Sequence, residues 1–135
     1  MTRAPKIMAA GVNVAFGHNC VMGPWYGMGT GDMLGVAQMG LYVAQMTSQK
    51  GIRQCFDAVT VNAAKVMHLP GYGLEVGCDA SFVLLQARDA VEAIRLREHR
   101  LKVWKKGQLL AQTPEVVASL TVANRPSQTA FFKLN

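Results

Sequence analysis

The sequence predicts a mixed α/β fold, in which one buried strand, a long loop and three helices precede a small β unit. Three observations carry that prediction. The short apolar run at 12–16 stops at Gly17-His18-Asn19 and breaks into a loop of glycines, a proline and aromatic residues. From Met33 to Leu69 the apolar residues follow helical spacing, interrupted at Thr47-Ser48 and again before Asn62. Beyond Gly73 the period changes to that of strands.

Each element follows in order. Residues 5–10 read as the last turns of a helix, with Gly11 as its left-handed C-cap. Residues 12–16 are then a buried strand, and in a parallel α/β protein such a strand delivers polar side chains to its C-terminal face, where active sites are built. The loop at 17–31 carries Gly23, Gly27, Gly29, Gly31 and Pro24, which exclude both helix and ladder. Connections of that length are usually functional or disordered. Asp32 is placed to cap the next helix, which runs to Met46 and is apolar over most of its circumference. A helix of that kind is expected to be buried, with its methionines filling core gaps.

A second helix is expected over 52–59, with Ile52, Cys55, Phe56 and Val59 on one face. Asn62 is expected to cap a third over 63–69, closed by Pro70-Gly71. Residues 81–86 read as a strand, and 101–104 with 108–111 as a hairpin turned by Lys106-Gly107. Residues 90–99 suit helix or strand equally. The tail after Thr113 alternates weakly and adds at most one more strand. Thr60, Asn62, Gly73, Gly77 and Asp79 read as caps and turns, and Lys65 as a solvated helix residue.

The bulk composition bounds the answer. At 135 residues the chain is at most one ordinary domain, able to bury roughly two thirds of its unfolded surface. Half of it is hydrophobic and only 16% is charged, an apolar balance that fits a piece packed against something else or a well-filled small core. The net charge of +6 is uneven, because Arg95, Arg97, Arg100, Lys102, Lys105 and Lys106 face only Glu98. With no stacking platform or nucleic-acid motif beside it, the run reads as a solvated strand edge rather than a nucleic-acid surface. Three widely spaced cysteines, Cys20, Cys55 and Cys78, argue against a disulfide framework or a zinc knuckle and for a reducing cytoplasm. Neither a signal peptide nor a membrane-length apolar run is evident.

Three patches resemble the metal-dependent amidohydrolases, most closely the cytosine deaminase subgroup. The first is Phe16-Gly17-His18-Asn19 with Pro24-Trp25-Tyr26; the second is 58–69, with Thr60, Asn62 and Lys65; the third runs from Tyr72-Gly73 through Gly77 and Asp79-Ala80 into Leu85. The hairpin around Gly107 is similar to the ribbon that closes the family's chains. The resemblance implies a C-terminal segment. Residues 1–70 would be the end of an incomplete TIM-like (β/α)8 barrel, and 71–135 a portion of the flanking β-sandwich. It also implies hydrolytic deamination of a nitrogen heterocycle, with a divalent iron or zinc ion activating water and a strand-end aspartate binding the metal and moving protons. His18 reads either as a contact to substrate or orienter of the neighbouring ligand, or as a side chain that satisfies the strand end; Trp25 and Tyr26 read either as a lid over a planar ring or as a loop packed on itself.

The departures matter as much. No His-x-His occurs, His18, His68 and His99 lack ligand spacing, and the aspartate position holds Asn19. An amide is a weak candidate ligand for a hard cation and cannot serve as a general base. The chain alone is therefore expected to be inactive and not to hold the metal. Its partners would be a missing N-terminal barrel half or a second copy of itself, and it would take a small heterocyclic substrate only when complete. The competing reading is an autonomous, basic α+β interaction module.

Overall fold

The computed structural model describes residues 3–19, 21–24 and 27–129. It is of mixed helix and sheet, as expected. Helix α1 (Ala4–Ala9) carries Pro5 in its first turn, where the missing N–H costs nothing. It ends in a Schellman arrangement: Gly11, at φ +81°, donates to Met8 O at 3.0 Å, and Val12 N donates to Ile7 O at 3.3 Å. Asp32 caps α2 (Met33–Ala44) by accepting from Leu34 N at 2.9 Å. Helix α3 (Gln49–Val59) starts earlier than the expected residue 52, because the Ser48 hydroxyl accepts from Gly51 N at 3.0 Å.

Helix α4 (Val61–Val66) corrects the reading of Asn62, which lies inside the first turn while Thr60 takes the N-cap position without a side-chain cap. The helix also stops short of Leu69. His68 adopts φ +50°, and His68 N and Leu69 N close onto Lys65 O and Ala64 O at 3.2 and 3.0 Å. The stop is thus the left-handed turn at His68, before Pro70-Gly71 is reached.

The ambiguous stretch at 90–99 resolves into α5 (Ala90–Leu96). Its start is reciprocal: Asp89 accepts from Glu92 N at 2.9 Å, while the Glu92 carboxylate reaches back to Arg88 N at 2.9 Å. The Arg88 guanidinium completes a fork on Glu92 at 2.8 and 3.1 Å. Held first by that guanidinium and then by the Arg88 N–H, the Glu92 carboxyl drops from 4.5 to about 2.

Strands β1 (Phe82–Leu85), β2 (Arg100–Lys105) and β3 (Gln108–Gln112) form an antiparallel sheet in that order. The β2–β3 turn has Lys106 and Gly107 at φ +47° and +81°, the pair of left-handed residues that matches strand twist. The basic run lies partly on this sheet, where Lys102 stands 5.9 Å from the Trp104 ring and Phe82 packs against Trp104 at 4.6 Å. The tail forms a two-stranded ribbon, β4 (Ala118–Ser119) with β5 (Gln128–Thr129). Buried Gln86 ties the preceding segment to the sheet, exchanging hydrogen bonds with Val116 O and Val116 N at 2.9 and 3.0 Å.

The core lies among α2, α3 and α5: Leu34, Ala37, Leu41, Met46, Cys55, Ala93 and Ile94, flanked by Ile52, Phe56, Val59 and Leu85. Gln38 docks α2 on α5 by donating to the terminal carbonyls of Ile94 and Arg95 at 3.1 and 3.3 Å. Helix α2 is not buried all round. Leu34, Ala37 and Leu41 face the core, but Met39, Tyr42 and Val43 are 60%, 64% and 43% exposed, because no second layer covers that side. No helix among the described residues is long and apolar enough to cross a membrane.

Candidate functional site

The segment at 12–16 is neither helix nor strand and joins no ladder among the described residues, and Val12 is 55% exposed. The expected buried strand is thereby corrected: its main chain has helices behind it and no neighbouring strand beside it. Three contacts fix its course. Phe16 N donates to Ala58 O at 2.9 Å, satisfying a carbonyl in the last turn of α3 that has no partner within the helix. The Asn62 side chain donates to Val14 O at 3.1 Å, and the Asn13 side chain donates to Asn62 O at 3.1 Å. The Phe16 ring lies over α2 at Gly40, where a Cβ would stand 2.4 Å from Cε2.

Immediately beyond Phe16 come the site residues that the sequence singles out. His18 is half-buried and Asn19 exposed, two and three residues past Phe16. Trp25 and Cys20 lie outside the described residues. The far end of the long loop is pinned at Asp32, whose Oδ1 accepts from Leu34 N and also pairs with the Arg100 guanidinium at the start of β2. The small sheet is thus connected to the exit of the loop that His18 and Asn19 open.

The resemblance implies a metal ion, but the donor set among the described residues does not suit one. Among the described residues no three His, Cys, Asp or Glu side chains gather, and Asn19 brings a neutral amide where a carboxylate would bring charge. An open depression of about 350 Å³ borders the start of the segment at 12–16, with Asn13, Asp57, Asn62 and Lys65 in its lining. Neither His18 nor Asn19 belongs to it, so it is separate from the strand end.

Asn62, Gly40 and Arg100 were not legible as site-shaping residues. An asparagine at a helix start reads as a cap, and its partner Val14 is 48 positions away. The one available signal is Gly40, an interior helical glycine that disfavours the helix it occupies and so points to a close approach.

The chain is similar to known proteins over most of its length. The chain is 26% identical over 114 residues to the N-isopropylammelide isopropyl amidohydrolase of Pseudomonas sp. (strain ADP), covering 84% of this chain and 28% of that protein. Its structure is similar to that of 5-methylcytosine deaminase from Klebsiella pneumoniae liganded with phosphonocytosine, with a TM-score of 0.83 and 30% identity, over 89% of this chain and 30% of the other. N-isopropylammelide isopropylaminohydrolase from Burkholderia multivorans ATCC 17616 gives a TM-score of 0.74 at 30% identity, over 78% of this chain and 27% of the other. The chain therefore spans less than a third of the length of these relatives. Residues 1–111 match the sequence profile of the amidohydrolase family, and the chain belongs to that family.

Proposed function

We propose that the chain is the C-terminal part of a cytosine-deaminase-like amidohydrolase, supplying the last barrel strand, its loop and part of the flanking sandwich, and that it is inactive alone. The observation that carries this reading is the segment at 12–16, seated on helices, ending in Gly17-His18-Asn19 and opening a long glycine-rich loop. The names of the relatives, a 5-methylcytosine deaminase and an N-isopropylammelide isopropylaminohydrolase, support a planar nitrogen heterocycle as the substrate class. In this reading the half-buried His18 contacts the substrate or orients its neighbour, and Trp25 covers the ring. Asn19 holds the position without the proton transfer that a carboxylate performs.

The partner in this proposal is the remainder of the barrel on another polypeptide. The exposed face of α2 and the unladdered segment at 12–16 support it, since both present surfaces that a neighbouring strand and helix would cover. A cytoplasmic location belongs to the same proposal and rests on the odd number and wide spacing of the cysteines. The test is to co-express the chain with the N-terminal part of the 5-methylcytosine deaminase relative and to measure ammonia release from 5-methylcytosine. The chain alone should release none. In an assembled complex, Asn19→Asp should exceed the Asn19 form by about 10²-fold or more. An assembled complex that stays inactive with Asn19→Asp, or that is equally active with either residue, overturns the proposal.

A further inference from the structure

We propose that Asn62 is a positioning residue for the strand end, fixing through the backbone where His18 and Asn19 stand. Its catalytic consequence rests on the function proposed above; its geometry does not.

The segment at 12–16 has no ladder among the described residues to set its axial position. In a sheet that position is set by register, since a slip of one residue moves every side chain to the other face. Here the setting falls to the helices. The Asn62 side chain donates to Val14 O, the Asn13 side chain returns a bond to Asn62 O, and Phe16 N reaches Ala58 O. The first two bonds form a reciprocal bridge between one turn of α4 and two successive residues of the segment. A slip by one residue would break both, because the residue facing Asn62 would no longer offer its carbonyl there. The Phe16 bond and the ring over Gly40 repeat the same register one step closer to the site. From Val14 only four residues lead to His18, so a displacement at the bridge carries into the imidazole and the Asn19 amide.

Asn62→Asp is the informative substitution, because it preserves size while replacing the donating amide with an acceptor that faces a carbonyl oxygen. The experiment is NMR on the labelled full chain. In the wild type, a through-bond coupling across the hydrogen bond should connect the Asn62 side-chain nitrogen with the Val14 carbonyl. In Asn62→Asp, the Phe16 amide should exchange at least tenfold faster, and the His18 ring and Asn19 side-chain signals should shift. Ile94→Val, which weakens the core elsewhere, should leave those two side chains unmoved. If Asn62→Asp does not fold, Asn13→Ala removes the returning bond and should give the same changes in weaker form. Absence of the wild-type coupling, or unshifted His18 and Asn19 in a folded Asn62→Asp chain, overturns the inference. An inactive reconstituted enzyme would instead count against the proposed function and leave these signals as they are.

Discussion

Replacing Gly40 with alanine sets two effects of similar size against each other, and the structure decides the sign. Alanine improves helix propensity over glycine by about 1 kcal/mol in a helix interior. Against that, the new Cβ would stand 2.4, 2.7 and 3.2 Å from Phe16 Cε2, Cδ2 and Cζ. Carbon atoms in contact prefer about 3.5–4.0 Å, so the ring must retreat by more than ~1 Å. Inserting a methyl into a packed contact of this kind typically costs about 1–3 kcal/mol. The difference leaves Gly40→Ala less stable by about 1 kcal/mol, which for 135 residues lowers Tm by roughly 3–4 °C. Gly35 lies in the same helix, and nothing stands within 4 Å of a Cβ there. Gly35→Ala should therefore keep the propensity gain and raise Tm by a few degrees. Thermal unfolding followed by circular dichroism reads both variants. Equal upward shifts in the two would show that Phe16 does not rest on Gly40, and the positioning of the strand end by α2 would fall with it.

Three further outcomes follow from the same contacts. Glu92 is held at about 2 against 4.5 in a free chain, so its stabilisation is fully present above pH 4.5 and disappears as pH falls towards 2. The loss of Tm over that window should be shallower in Glu92→Gln, and parallel acid limbs would refute the assignment. Ser48→Ala removes the α3 cap at Gly51 N and should cost about 1 kcal/mol, whereas an unchanged urea midpoint would mean that the cap does not hold the helix start. Cys55 is fully buried and its thiol is pushed up by that burial, so an alkylating reagent should modify it only after unfolding. Mass spectrometry that finds it modified in the native chain as fast as half-exposed Cys78 would contradict the packing of α3 on α2.

The sequence was most legible where a local signal decides the structure. Asp32 before an apolar run, Lys106-Gly107 between alternating strands and Gly11 after a short helix each act within a few residues of themselves, and each stands where expected. It was least legible where the partner is distant. The run at 12–16 has strand composition, but composition does not supply a neighbouring strand to pair with. The apolar circumference of α2 suggested full burial, yet burial needs a second surface, and Met39, Tyr42 and Val43 have none within the described residues. The capping role read for Asn62 failed for a related reason. Its side chain can satisfy a helix N–H or a carbonyl on another element, and only the approach of Val14 selects between them.

These contacts separate two requirements that an intact active site combines. Geometric competence requires that His18 and Asn19 be delivered to a fixed place at the head of the loop. Val14 and Phe16 are fixed by α4 and α3, Phe16 rests on α2, and the loop exit is tied to β2 through Asp32 and Arg100, all within this one chain. Chemical competence requires a carboxylate and a ligand set, and Asn19 and the dispersed histidines provide neither among the described residues. One substitution separates the two. Asn19→Asp changes charge and proton affinity beyond Val14 and Phe16, whose bonds to α4 and α3 are made by other residues, so those two anchors should keep their place. Whatever activity a reconstituted barrel then gained would come from the carboxylate itself.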